Sequence, residues 1–399
     1  MSLSDVIDLA GATNSSFLFD FGFGINASMM GCTNRTMITT TISPMVNDPT
    51  YVSYRIIVDV YLVGVLCVMG FIGNALSIAV LYRDHEKKNT TNWLLQTLAV
   101  VDTLYLVTCF FIQTLSTIRD YTEWLPTMRE IFSHMMPYIW VVASIAQTIT
   151  VWTVMLVTID RYIAVCMPLQ THLRSLERAK IAVVIVCLLA ILYNIPRFFE
   201  REVVVQEQGC IAKTIQLKKT AFRKNRVYFL VYKTIMYFMF RTIGPLLTLI
   251  ILNVKLILAL KEMRRKHKDL TKGSKHRENI TFMLVIVVTV FVICEIPDLI
   301  LRILVNLHEF KAVELDINKL RYVNVMTNML LTVNSSINFL IYCLVGKKFR
   351  RILLDMYACN ARPRDSNMEV SETEPLTTRT NIITKNGTTT ASKDGDVCL

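Results

Sequence analysis

Thr158-Ile159-Asp160-Arg161-Tyr162-Ile163-Ala164-Val165-Cys166 closes the apolar run Met135–Cys166, so an Asp-Arg pair stands where hydrocarbon gives way to water. A guanidinium stays charged at any accessible pH. At a membrane edge it must therefore hold a neighbouring acid or be received by a partner. Two states follow, with Arg161 caged by Asp160 at rest and freed when neighbouring helices move apart. A plainer reading stands beside this one: the pair only marks topology, since Lys and Arg gather on cytoplasmic sides of membrane proteins generally. The place of the run among its neighbours decides how much weight it carries.

Working outward, apolar runs recur at Val58–Leu81, Trp93–Ile118, Met135–Cys166, Ile181–Phe199, Val227–Leu260, Ile280–Val305 and Leu320–Val345. Each is long enough to cross roughly 30 Å of hydrocarbon. The chain has 399 residues and is 53% hydrophobic, with a mean hydropathy of +0.44, too apolar for an ordinary soluble protein. Backbone satisfaction in lipid demands helices or a closed barrel, and these runs lack the alternation of barrel strands. The predicted fold is an all-α membrane protein, a seven-transmembrane helix bundle with a short amphipathic eighth helix. That last element is read from Gly346-Lys347-Lys348-Phe349-Arg350-Arg351-Ile352-Leu353-Leu354, where basic and apolar residues fall at helical spacing against membrane lipids. The expected organisation is a leader at 1–54, the bundle at 55–345, the surface helix at 346–357 and a disordered cytoplasmic tail at 358–399.

Orientation comes from two features. Asn14-Ser15-Ser16, Asn26-Ala27-Ser28 and Asn34-Arg35-Thr36 are glycosylation acceptors, which places the leader outside the cell. The densest basic loop, Lys261 through Arg277, marks the cytosol. The protein is expected to be multi-pass in the plasma membrane, with its tail inside. The second outer loop, with Lys218, Lys219, Arg223, Lys224 and Arg226, is also basic and goes against that rule. Met1–Gly24 shows no basic region followed by an apolar core, so the first span is expected to act as its own insertion signal. Cys359 is a candidate for lipidation. The tail hydroxyls, among them Ser371, Thr373, Thr377 and Thr388, are either phosphorylation sites for a receptor kinase, recruiting arrestin, or an ordinary solvated tail.

Ten cysteines are present. Most fall in the spans or on the inner side as packing thiols, leaving Cys32 and Cys210 in outer segments. No metal-binding spacing, phosphate-cradling glycine loop or nucleophile–base arrangement can be read from the chain. Neither an enzyme nor a nucleic-acid partner is predicted.

The polar residues within the spans carry the mechanism. Asp102 sits in an apolar run and is expensive unless paired. Asn74, Thr150, Asn334, Ser335 and Asn338 lie at similar depth. Their oxygens suit a hydrated cation, so a structural sodium ion is one reading and a hydrogen-bonded network between helices is the other. No other cofactor is expected. Pro245 and Pro297 are expected to kink spans five and six. Arg241, Glu295, Asp298 and Arg302 are ionisable groups in apolar surroundings. Asp298 and Arg302, one turn apart, can pair within a helix, while Arg241 needs a partner across helices, Glu295 or Asp298.

Assembled, these residues resemble the rhodopsin-like G protein-coupled receptors over about residues 55–357. The resemblance is carried by Gly73-Asn74, Leu98-Ala99-Val100-Val101-Asp102, Asp160-Arg161-Tyr162, Pro245, Phe291 with Pro297, and Asn338-Phe339-Leu340-Ile341-Tyr342. Within that family, Tyr193 through Glu200 and Asn334 through Phe339 look like the invertebrate FMRFamide-type neuropeptide receptors. The resemblance implies G-protein coupling through Asp160, Arg161, Tyr162, Asn338 and Tyr342. Four departures stand out. Asn338-Phe339 replaces the usual Asn-Pro, so the seventh helix is expected to bend less. Glu295 stands where a Trp is usual, and span four lacks its usual Trp. Ser133-His134-Met135-Met136 lacks the usual third-span cysteine. With that partner missing, a disulfide between Cys32 and Cys210 is expected to tie the leader to the second outer loop.

The family's implied function is recognition of an extracellular peptide ligand and activation of a heterotrimeric G protein. An amidated FMRFamide-like peptide is expected, with its guanidinium on Glu295 and Asp298, its ring walled by Trp140, Tyr138 and Phe291, and its amide bonded by Gln113. Arg241 and Arg302 line the same expected pocket. The alternatives are an amine or amino-acid receptor of the same fold, or a transporter, which inverted repeats and paired broken helices would favour.

Overall fold

The side chain of Asp48 starts the bundle. It accepts the Thr50 amide at 3.0 Å, with Pro49 at the first helical position. Helix α1 (Pro49–Arg83) thus begins upstream of the boundary expected at 55. The computed structural model describes residues 25–26, 41–42, 48–84, 90–122, 126–167, 169, 174–208, 212–266 and 272–361. The described residues contain five further helices long and apolar enough to cross a membrane: α2 (Thr90–Tyr121), α3 (Glu130–Cys166), α4 (Leu176–Phe199), α5 (Arg226–Met263) and α6 (Asn279–Glu309). A seventh span, α7, is a bent pair, Ile317–Ser336 and Asn338–Val345, turned by 48°. Helix α8 (Lys347–Ala361) follows. Ser175 and Asp316 cap α4 and α7 through their side chains.

Strands β1 (Ile25–Asn26) and β2 (Thr41–Ile42) pair antiparallel in the leader. Between α4 and α5 the chain forms an antiparallel hairpin of β3 (Arg201–Gln208) and β4 (Ala212–Lys219), with Val203 opposite Leu217 and Val205 opposite Ile215. Sequence reading treated this stretch only as a basic loop; its β-branched run Val203-Val204-Val205 was the available signal. The hairpin marks one end of the bundle and α8 the other.

Helix α3 runs through the middle, packed against α2, α4, α5 and α6. One apolar core, with Leu98, Val154, Leu249, Val288 and Tyr342, fills the α8 half. Another, with Val63, Leu106, Ala146, Ala190 and Leu331, fills the hairpin half. Val65, Ile72, Ile181, Leu188, Leu258 and Ile293 instead point outward and are more than half exposed, as expected where lipid rather than protein covers the helix. Chain compactness separates Met1–Tyr357 from Ala358–Leu399. The second unit is described only to Ala361, so Cys359 falls within α8. Asn26 falls in β1. Asn14, Asn34, Cys32, Cys210 and the tail hydroxyls lie outside the described residues.

Among the described residues three segments adopt the wider π winding: Ile56–Leu62 in α1, Phe110–Leu115 in α2 and Phe229–Thr242 in α5. The last gives way to α winding at Ile243, beside Pro245. Pro297 sits inside the continuous helix Lys272–Glu309. The sharp break lies in α7, where no proline stands, which corrects the expectation of a straighter seventh helix. At Ile337 the backbone takes φ −86° and ψ −14°. Asn74 donates to the Ser335 carbonyl at 3.3 Å, and Asn338 donates to Asp102 at 2.7 Å. Gly70 and Gly73 supply the notch: a Cβ on Gly73 would lie 2.8 Å from the Phe339 Cβ, and one on Gly70 3.0 Å from the Ser336 Cβ. Side-chain hydrogen bonds and close packing hold the bend that proline usually imposes.

Candidate functional site

At the α8 end, the start of α2 and the end of α3 converge on one carboxylate. Arg161 reaches Oδ2 of Asp160 through Nη2 at 2.9 Å and Nε at 3.2 Å. The Thr91 hydroxyl donates to the same oxygen at 2.6 Å, and Arg174 donates to Oδ1 at 2.9 Å. Asp160 and Arg161 are both buried, so this is the caged state expected from the sequence. Tyr162 stands apart from the cage. Its ring packs with Leu256 and Leu260, and the Lys255 ammonium lies 5.8 Å from its centre. Tyr342 is buried against Phe349, ring centres 5.5 Å apart. The Lys348 ammonium lies 2.9 Å from Asp84, tying α8 to the end of α1.

Midway through the bundle, Asp102 accepts hydrogen bonds from Thr150 at 3.2 Å, Ser335 at 3.1 Å and Asn338 at 2.7 Å. The geometry brings together α2, α3 and α7. Asn334 is buried but makes no hydrogen bond to Asp102. One carboxylate and two hydroxyls are donor types that fit a hard cation. The hydrogen-bonded network is what the geometry displays, and no group of three or more His, Cys, Asp or Glu side chains suited to a metal occurs among the described residues.

At the hairpin end a cavity opens between α2, α3, α5, α6, α7 and the hairpin. Gln113, Trp140, Arg241 and Arg302, all expected to meet a ligand, line it. Tyr138, Glu295, Asp298 and Phe291 do not. Tyr138 points away and is 61% exposed, with its ring 6.5 Å from that of Phe198. Asp298 is buried and spent on Arg302, one turn along α6. Arg302 also stacks over Tyr237, 4.9 Å from the ring centre. Arg241 makes no hydrogen bond across helices to Glu295 or Asp298. Glu295 nonetheless lies close enough across the helices to feel the Arg241 charge, while the Arg241 Nη1 is buried without a hydrogen-bond partner. Gln113 donates to Thr332 at 3.3 Å, while its Oε1 is buried without a donor.

The remaining charge in the cavity lining comes from Arg197 and Glu200, quoted from the sequence only for the family resemblance, from Arg223, read there as loop charge, and from Arg201 and Lys233, which the sequence did not single out. Lys233 was detectable as a lysine in the outer half of the apolar run Val227–Leu260. Glu200 accepts from Lys233 at 2.7 Å and from the Tyr228 hydroxyl at 2.7 Å, and pairs with Arg223 at 3.3 Å. Its carbonyl receives the Thr220 amide at 3.1 Å, so Glu200 clasps the base of the hairpin to the start of α5. Burial alone would raise the Glu200 pKa, but Lys233, Arg223 and Arg197 outweigh it and hold the carboxyl at about 2. Burial, with Arg223 nearby, pushes Arg201 down to about 10 and Lys219 to about 8. A second knot was also missed. The π turn of α1 brings Asp59 inward, where it accepts from Arg55 at 3.1 Å and Thr117 at 3.0 Å. Its signal was the Arg55–Asp59 spacing at the edge of an apolar run.

The bundle thus holds three polar centres: a closed charge cage at one end, a polar knot at mid-depth and a charged cavity at the other end. The family described as 7 transmembrane receptor (rhodopsin family) matches residues 73–342. The FMRFamide receptor of Drosophila melanogaster is 30% identical over 309 residues, covering 76% of this chain and 54% of that protein. The chain thus aligns with little more than half of that relative's length. The FMRFamide peptide receptor frpr-18 of Caenorhabditis elegans is 26% identical, covering 73% of this chain and 67% of that protein. The sex peptide receptor of Drosophila melanogaster is 25% identical, covering 74% and 72%. These relatives are receptors, not enzymes. With seven spans, the Asp160–Arg161 cage and a family match across most of its length, the chain is a multi-pass plasma-membrane protein that belongs to the rhodopsin family of seven-transmembrane receptors.

Proposed function

We propose that this protein is a receptor for an extracellular neuropeptide and activates a heterotrimeric G protein, with its leader outside and its tail in the cytosol. The observation that carries the reading is the buried Asp160–Arg161 cage at one end of a bundle whose other end holds the open cavity. Ligand binding favours a conformation in which the α8 end opens and Arg161 is released to the G protein. No bond is made or broken, and the energy is the ligand's differential affinity for the two states. The peptide class, FMRFamide-like and amidated, is supported by what the relatives' names say they bind. The unused acceptor of Gln113 suits an amide N–H. The assignment of a ligand guanidinium to Glu295 and Asp298 is not carried forward, because neither acid lines the cavity.

An amine or amino-acid ligand is less favoured, since the cavity's carboxylate, Glu200, is already held by Lys233 and Arg223. A transporter would show paired broken helices; among the described residues only α7 is sharply broken. Asp102, Thr150 and Ser335 would hold a sodium ion, whose charge would offset the buried carboxylate. Helix α8 would lie on membrane lipid, and the tail would serve a receptor kinase and arrestin.

The test is expression of the full chain with promiscuous G-protein reporters, challenged with amidated peptides, amines and amino acids. Arg161→Ala, expressed at the surface and still binding ligand, should not signal. Normal signalling by that variant would remove the mechanism.

A further inference from the structure

Two arginines cross from the base of the hairpin to α3 at consecutive turns. Arg197, in the 3-10 turn that closes α4, donates through Nη1 to Ser144 at 2.8 Å. Arg201, the first residue of β3, stacks its guanidinium 5.1 Å from the centre of the Trp140 ring. Trp140, Ser144 and Gln147 fall at i, i+4 and i+7, so they share one face of α3, with Cβ atoms about 5–6 Å apart from turn to turn. All five residues line the hairpin-end cavity. Two guanidiniums are thus layered along one stripe of α3, with the Gln147 amide at its deeper end.

Charge in this lining is uneven. Lys233 and Arg223 share Glu200, Arg302 takes Asp298, and Arg241 has Glu295 as its charge neighbour. Arg197 donates to a neutral hydroxyl instead, and its Nε is buried without an acceptor. Glu200 is near enough to feel Arg197, but its oxygens are taken by Lys233, Arg223 and Tyr228. The Gln147 Nε2 is also buried without an acceptor. Buried donors of this kind are costly unless something accepts from them, and a charged acceptor answers a guanidinium best.

We infer that a monovalent anion the size of chloride binds between Arg197 Nε and Gln147 Nε2, under the charge of Arg201. The reach is set by α3, since Ser144 holds Arg197 and Gln147 stands one turn beyond Ser144. Such an ion accepts from both idle donors and offsets the excess of cations. It also favours the ligand class proposed above. An FMRFamide-like peptide carries an arginine of its own, and like charges in a poorly solvated cavity repel. With the anion in place that repulsion falls, so peptide and anion bind cooperatively. This last consequence rests on the peptide-receptor reading; the anion site itself does not.

The test uses the purified full chain without agonist. Thermal unfolding is followed while sodium gluconate is exchanged for sodium chloride at constant ionic strength. The midpoint should rise saturably by at least about 2 °C, because an ion that binds only the folded state stabilises it. Bromide should replace chloride. Arg197→Gln and Gln147→Met should each lose most of the rise, whereas Lys224→Gln, at an exposed lysine outside the cavity lining, should keep it. If Arg197→Gln yields no folded protein, Gln147→Met decides alone. In reporter cells the same exchange in the outer medium should leave an amidated Arg-containing peptide roughly tenfold less potent in gluconate, and Gln147→Met should abolish that difference. A wild-type midpoint that ignores halide, or a rise kept in full by both variants, overturns the inference and leaves the peptide reading standing. A halide-dependent midpoint that both variants lose, with no response to any peptide, upholds the anion site and removes the peptide reading.

Discussion

Arg174 Nε lies 2.9 Å from Oδ1 of Asp160, while Arg161 Nη2 lies 2.9 Å from Oδ2 of the same residue. One carboxylate is therefore shared between the helix that carries Arg161 and the loop that follows it. Its resting charge balance includes a group outside the Asp-Arg-Tyr triplet. Arg174 is partly exposed, so its pair is worth about 1 kcal/mol, which is roughly a fivefold shift between closed and open states. Arg174→Ala should raise ligand-independent signalling by about that factor. Asp160→Asn, which weakens the pairing with both arginines, should raise it further. Basal reporter output at matched surface density is the measurement, and an unchanged Arg174→Ala baseline would show that the loop contact does not hold the closed state.

The Glu200 clasp predicts a particular dependence on acid. Its carboxyl is held at about 2, below the ordinary value of 4.5. The stabilisation is therefore fully present above about pH 4.5 and disappears only as pH falls toward 2. Glu200→Gln leaves Lys233 and Arg223 without their carboxylate, which for a buried pair costs about 3 kcal/mol. Thermal unfolding of detergent-solubilised protein should show a variant clearly below wild type, by the same margin at pH 5 and pH 7. A margin that shrinks between those values would place the carboxyl near its ordinary pKa.

Close approach of α1 and α7 gives a matched pair of glycine substitutions. A methyl at Gly73 would lie 2.8 Å from the Phe339 Cβ, whereas at Gly64 its nearest neighbour is the Thr114 methyl at 3.8 Å. Gly73→Ala should destabilise by about 1–3 kcal/mol through overpacking, and Gly64→Ala should be neutral or slightly stabilising. Both are read from thermal unfolding and surface expression. Equal behaviour would mean that α7 can back away from the notch without loss.

For the mid-bundle cluster, Asp102→Asn separates the two readings of its chemistry. If a cation shares the site, raising sodium chloride while holding ionic strength constant with a choline salt should lower agonist affinity in the wild type and not in the variant. If Asp102 only joins helices, both proteins should ignore sodium, and the variant should instead lose thermal stability because Thr150, Ser335 and Asn338 lose their shared acceptor.

The spans, the cage and the Asp102 partners were legible because each rests on a local rule: apolar length, the cost of an unpaired intramembrane charge, and oxygens at equal depth. Residues whose role depends on tertiary neighbours were not. Arg241 and Asp298 looked alike in sequence, yet one is left short of a partner in the cavity wall and the other is paired behind it. Lys233 and Glu200 lie far apart along the chain and meet only because the hairpin returns the chain to the start of α5. The orientation of a helix about its own axis decides which charge faces the opening. The π segments shift that orientation without leaving a mark in composition.

A proline writes a bend permanently into a helix by deleting a donor. At the break in α7 the residue in that place is Phe339, which keeps its N–H, and the Ser335 carbonyl is occupied instead by the Asn74 side chain. Nothing covalent prevents that amide from reclaiming a backbone partner. The bend is thus a reversible joint latched from outside by α1. Straightening it would withdraw Asn338 from Asp102 and lift Phe339 out of the Gly73 notch in a single stroke, so the seventh helix can act as a moving part rather than a fixed elbow.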